Sequence, residues 1–251
     1  NEDPNRTGFA HFFEHLLFEG SENIKRGEFD KYLQNAGATN NANTSNDRTF
    51  YYEVLPSNQL ELGLWMESER MLHAKIETVG VETQREVVKE EKRQRIDNQP
   101  YMSFQSEIFK RAYTQHPYRW TPIGSMDDLN AATLDEFIAF YKTFYVPENA
   151  TLSIAGDIDV AQTKTLIAKY FQDIPRGKKP VPRPTAVEPQ QKAEVRDVIF
   201  DNIQLPAVFQ AYHIPAQGTP DSYALDMLST VLSGGQSSRM YKTLVDDQKK
   251  A

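Results

Sequence analysis

His11, Glu14 and His15 are the residues whose types and spacing could do chemistry together. They lie in Gly8-Phe9-Ala10-His11-Phe12-Phe13-Glu14-His15-Leu16-Leu17-Phe18, where every other side chain is apolar or absent. On a helix these positions are i, i+3 and i+4, so the three polar groups share one face. Two imidazoles one turn apart can hold a zinc ion by their ring nitrogens, and a carboxylate beside them can reach a water on that ion. The order is H-x-x-E-H, the reverse of the commoner H-E-x-x-H. The competing reading, two core histidines and a capping glutamate, would leave polar groups short of partners among Phe and Leu.

Two histidines alone rarely hold a catalytic zinc, so a third protein ligand is needed. His73, His116 and His213 stand singly and are read as structural. The acid-rich helical stretch at 82–91 is the better source, and composition does not choose among Glu82, Glu86, Glu90 and Glu91.

The elements that must position these groups follow from pattern. Beyond the His helix, helices are expected at about 26–35, with Gly37 after it, and at 57–72, 81–95 and 101–113. Thr133 and Glu136 form a capping box opening a helix to about Tyr145, and another helix runs from Val160 to Phe171. Asp221 is the expected cap of an apolar helix ending at Gly234-Gly235. Strands are expected at 49–55, 150–155, 195–200 and 207–213. In residues 175–184, five of ten are Pro or Gly, the clearest linker in the chain. From pattern alone the class is mixed α and β. The chain divides into a nearly whole α/β domain at 1–174, a Pro-rich linker at 175–193 and the start of a second α/β domain at 194–251.

Composition excludes several functions. With 251 residues and 39% hydrophobic content a sizeable core is within reach. A net charge of -7 argues against nucleic acid as partner. No stretch approaches the ~20 apolar residues that span a bilayer. Cysteine is absent, so any metal is held by His and carboxylate. The chain opens on Asn1 without Met, and the natural N-terminus is expected to lie elsewhere.

Asn41-Ala42-x-Thr44-Ser45-x-Asp47-x-Thr49-x-Tyr51 follows the His helix. With Glu69-Arg70-Met71, Arg85-Glu86-Val87-Val88-x-x-Glu91, His116-Pro117-Tyr118, Tyr145-x-Pro147-x-Asn149 and Gly156-Asp157, it resembles the pitrilysin/insulinase family of zinc peptidases. The likeness is nearest to mitochondrial-processing-peptidase-like and bacterial members, and it covers about residues 8–175. A weaker echo lies in Gly234-Gly235-x-Ser237-Ser238-Arg239.

The resemblance implies an α/β (α+β) fold with a mainly antiparallel sheet and helices packed on it: one nearly complete domain, its opening strands missing, plus the start of a similar one. It implies Zn2+ as cofactor, with His11, His15 and Glu91 as ligands, the last about 76 residues beyond His15. Gln84 stands where family members often carry another Glu. Further implications are an endopeptidase acting on peptides or unfolded precursor segments, with Glu14 as general base on a zinc-bound water, and an edge strand at Asn41, Ala42 and Asn43 to which an extended peptide adds. A second half, in the same longer chain or as a partner subunit or homodimer, would supply an Arg/Tyr pair that no stretch here matches. By resemblance the compartment is the bacterial periplasm or cell envelope, with an organelle matrix second. The alternative is a non-catalytic relative serving as scaffold or peptide-holding subunit. A purely structural zinc site fits less well, since such sites have four protein ligands and no idle base.

Overall fold

The structure is a computed structural model that describes residues 2–250. It forms two compact units, Asn1–Ala207 and Val208–Ala251. The first contains helices α1 (Phe9–Leu16) and α2 (Phe29–Asn35), then an antiparallel hairpin of β1 (Thr39–Thr44) and β2 (Thr49–Val54). It continues with α3 (Leu60–Leu72), α4 (Thr78–Lys92), α5 (Phe104–Ala112), α6 (Met126–Ala131), α7 (Leu134–Phe144) and α8 (Val160–Phe171). The second unit carries α9 (Pro220–Ser233).

The fold is thus helix-rich α/β with a small antiparallel sheet. The hairpin register runs from Thr39 opposite Val54 to Thr44 opposite Thr49. In both strands every second residue is half-buried: Asn40, Ala42 and Thr44 on β1, and Thr49, Tyr51 and Glu53 on β2. The strand expected at 49–55 is present, whereas the stretches 150–155, 195–200 and 207–213 pair with nothing in a regular ladder among the described residues. Composition can favour an extended chain, but a strand needs a neighbour to take its N–H and C=O groups.

Helix ends follow their capping chemistry. The Thr133–Glu136 box opens α7 as expected. The cap of α9 is Thr219, whose hydroxyl accepts from the Ser222 N–H, with Pro220 in the first turn. Asp221, the expected cap, sits inside that turn, because Pro suits the first helical position and moves the boundary back. Past α4 the chain widens into a π-helical turn at Arg93–Asp97.

The core forms where α1 meets α4 and α7. Phe9, Phe12, Phe13 and Leu16 are buried on one face of α1, and the ring of Phe137 stacks among them, with centroids 4.7 Å from Phe9 and 4.4 Å from Phe12. Burying each such side chain is worth about 1.5–3 kcal/mol. Val81 and Val88 bring α4 against the same cluster. Arg85 is buried on that helix and donates to the Leu129 and Ala132 carbonyls, a charged cap on the C-terminal end of α6.

Two glycines seat the start of α1. Gly8 has φ +92°, and a Cβ there would lie 2.8 Å from the Ile123 carbonyl oxygen. Gly124, at φ +75°, would bring a Cβ within 2.5 Å of the Thr7 oxygen. Backbone meets backbone, and no side chain fits. The Glu2 carboxylate accepts from the N–H groups of Gly8 and Ala10 at 3.0 and 2.8 Å, satisfying donors that a helix start leaves free.

Candidate metal centre

With one face of α1 buried against Phe137, the opposite face presents His11, Glu14 and His15. Val88, fully buried, fixes the rotation of α4, and Glu91 lies three residues on along the same face. Its Oε2 atom is 3.1 Å from His15 Nε2 and 3.5 Å from His11 Nε2. Each of the three residues offers one ligand atom, all within 4.8 Å of one another, the one such grouping among the described residues. Glu91 and Glu90 diverge as a helix requires: the Glu91 side chain is 16% exposed, whereas Glu90 is 53% exposed and bonds to Arg93 and Gln94.

The donor set fits a divalent cation. His11 Nδ1 and Glu91 Oε2 are buried without a hydrogen-bond partner, a cost that a bound cation would offset at the carboxylate. Burial, aided by the nearby His15 ring, pushes the His11 pKa down to about 4, so its imidazole is neutral at pH 7, the form that ligates metal. Contact with His15 is the largest of the effects that hold the Glu91 carboxyl below its ordinary range against burial, with His11 and Arg95 adding to it. Arg95 reaches Glu91 Oε1 at 2.6 Å. Two imidazole nitrogens and a carboxylate oxygen are a zinc-type set.

Glu14 stands beside this cluster and accepts a hydrogen bond on Oε2 from Thr44 Oγ1 at 2.5 Å. Thr44 belongs to the motif at 41–51, yet its spacing from Glu14 carries no signal, since the contact spans 30 residues. Asn41, Ala42 and Asn43 all lie on β1. The Ala42 N–H turns to Asn41 Oδ1 at 2.8 Å, away from the partner strand. Gln84 donates to Glu19 Oε1 at 2.5 Å. His73 pairs with Glu22, and His116 Nδ1 accepts from the Tyr118 N–H; neither belongs to the cluster.

Behind the hairpin, Tyr51 donates to the Phe13 carbonyl at 3.1 Å and meets the Tyr145 hydroxyl at 2.9 Å. The Arg70 guanidinium, buried, lies 4.5–4.7 Å from the ring centres of Phe18, Phe29 and Tyr51 and forks onto Glu67. These contacts fasten the hairpin to α1 and α3.

Known proteins place this geometry in context. A family profile described as "Insulinase (Peptidase family M16)" matches residues 1–123, and one described as "Peptidase M16 inactive domain" matches residues 131–251. Zinc protease PqqE of Helicobacter pylori is 36% identical over 253 aligned positions, which cover 100% of this chain and 57% of that protein. The crystal structure of a protease from Helicobacter pylori superposes with a TM-score of 0.91 at 34% identity, over 100% of this chain and 60% of that one. The periplasmic protease PqqL from Escherichia coli gives 0.66 at 25% identity, over 76% of this chain and 21% of that one. The chain spans about half the length of the curated relatives it matches first. No described helix is long and apolar enough to cross a membrane.

Proposed function

This chain belongs to the insulinase family of peptidases, family M16, and on that premise we propose that it carries the metal centre of a zinc-dependent endopeptidase. Its substrates are peptides and unfolded or precursor segments. The observation that carries the reading is the convergence of His11, His15 and Glu91 within 4.8 Å, with Glu14 beside them. Zinc held by these three residues would lower the pKa of a coordinated water to about 7 and polarise a peptide carbonyl.

The protein's own groups do the rest. An extended peptide adds along β1, its backbone paired with the outward groups around Asn41, Ala42 and Asn43, which favours unfolded segments and depends little on sequence. The Glu14 carboxylate takes the proton of the attacking water and passes it to the nitrogen of the leaving amine. Buried aromatic packing under α1 holds the ligand face rigid, so geometry is set before substrate arrives.

Residues 1–174 form the peptidase domain in this reading, residues 175–193 the linker, and residues 194–251 the start of a second, similar domain. A second half, in the same longer chain or in a partner subunit or second copy, closes over the site. The periplasm is the proposed compartment, by analogy with the relative described as periplasmic.

The test is metal content of the full-length protein by atomic spectroscopy, followed by cleavage of an unstructured peptide. We expect about one zinc per chain, lost in Glu91→Gln, and a Glu14→Gln protein that keeps zinc while kcat falls at least about 100-fold. A well-folded protein without zinc would move the assignment to a non-catalytic scaffold or peptide-holding subunit. Normal turnover by Glu14→Gln would remove that residue from the mechanism.

A further inference from the structure

We propose that Thr44 is a positioning residue: its hydroxyl fixes the Glu14 carboxylate and ties it to the strand on which the peptide is laid. The inference rests on the reading of Glu14 as the proton acceptor. A glutamate on a helix surface has three rotatable bonds and, unrestrained, samples several rotamers. Proton transfer needs one of them, with an oxygen within hydrogen-bond reach of the water. Thr44 Oγ1 donates to Glu14 Oε2 at 2.5 Å in a partly buried setting, which is the short distance of a bond to a charged acceptor. With Oε2 engaged, Oε1 is the oxygen left to take the proton.

Thr44 is itself held. It closes β1 opposite Thr49, whose hydroxyl lies 3.3 Å from its own. A Thr hydroxyl has one proton; with that proton on Glu14, the Thr49 hydroxyl is the donor to Thr44. Beyond Thr44 the turn is closed by Ser45 N–H to the Arg48 carbonyl at 2.8 Å, and the tip is pinned where the Tyr118 hydroxyl donates to Asp47. At the other end Asn40 donates to Asp30 at 3.1 Å. These bonds hold the strand at both ends and set where its hydroxyl stands relative to Glu14.

Ala42, two residues back on β1, faces the same way as Thr44, and its N–H points away from β2. A peptide that pairs with this strand is thereby registered to the backbone that orients the proton acceptor. Placement of the scissile bond and orientation of the base share one element, while α1 carries the metal ligands and the backbone of Glu14.

The experiment compares Thr44→Val, Thr44→Ser and Glu14→Gln in the zinc-loaded full-length protein on an unstructured fluorogenic peptide. Valine keeps the shape and removes the donor. We expect wild-type zinc content and melting temperature, KM within about twofold, and kcat lower by about 10- to 100-fold. Serine should recover kcat to within about threefold of wild type. In crystals of the metal-free protein, Glu14 should occupy more than one rotamer in Thr44→Val and a single one in the wild type.

Wild-type kcat in Thr44→Val would overturn the proposal. So would loss of zinc, a melting temperature several degrees lower, a rise in KM alone, or a serine variant as slow as valine, each of which assigns Thr44 a structural or substrate-holding role. An unchanged single rotamer of Glu14 in Thr44→Val would overturn it as well. Failure of the underlying reading is separate and visible: Glu14→Gln would then turn over normally whatever stands at position 44.

Discussion

Replacing Glu53 by glutamine should make the protein more stable in alkali and leave it nearly unchanged in acid. Glu53 sits on β2 opposite Asn40, and its Oε1 is buried without a hydrogen-bond partner. Burial, reinforced by the charge of Glu67 and opposed by Arg70, pushes its pKa from 4.5 up to about 8. Between these values the folded chain holds a proton that the unfolded chain has released. Stability is therefore full below about pH 4.5, falls as pH rises towards 8, and is level above that.

Each pH unit is worth about 1.4 kcal/mol, which sets a ceiling of about 5 kcal/mol across the window. Solvent that still reaches the group and the Arg70 charge offset part of that span, and we expect about 2–3 kcal/mol. Glutamine keeps the shape and has no proton to lose. Urea unfolding of the metal-free proteins at pH 5, 7 and 9 should show wild type and Glu53→Gln within about 1 kcal/mol at pH 5, and the variant ahead by about 2–3 kcal/mol at pH 9. Chelation matters here, because bound metal adds its own pH dependence. Parallel curves for the two proteins would refute the reasoning.

Phe137→Ala removes the ring stacked among three aromatic side chains of α1 and should cost about 3–5 kcal/mol by the urea midpoint; a loss below about 1 kcal/mol would mean the cluster collapses around the gap. Ala42→Pro removes an N–H that serves no bond to β2, so the hairpin should survive while peptide binding weakens. We expect KM to rise about tenfold with zinc content unchanged; an unaltered KM would show that this edge is not used.

Much of the site is legible because helical periodicity is rigid. His11, Glu14 and His15 could be placed on one face from their numbers alone, and the burial of Phe9, Phe12, Phe13 and Leu16 on the other agrees. Glu91 was different. Glu82, Glu86, Glu90 and Glu91 all satisfy composition, and only the family resemblance chose one; the rotation that turns Glu91 inward depends on Val88 meeting α1, a long-range contact no local pattern encodes. The same limit hid the Thr44–Glu14 bond and the box of rings around Arg70. At 150–155 and 195–200 the apolar, β-branched composition did favour extension, but ladder pairing is a property of two segments. By residue type Asp221 is as good a helix cap as Thr219, and the Pro between them decides for Thr219.

The seating of α1 on Gly124 and Phe137 bears on how the protein is made. The helix that carries two of the three candidate ligands is completed at residue 16, yet the backbone contact at Gly124, the Thr7–Asp128 hydrogen bond and the ring of Phe137 all come from more than a hundred residues downstream. At ribosomal speeds of about 5–20 residues per second, on the order of ten seconds pass between synthesis of the imidazoles and of the groups that aim them. Glu91 also precedes its supports, Leu129 and Ala132, which anchor Arg85 on the same helix. During that interval His11 and His15 share one helix whose tertiary supports have not yet been made, and Glu91 is joined to it by a long stretch of chain. The three candidate ligand atoms are therefore brought within 4.8 Å of one another only after the residues that seat α1 and α4 have been made.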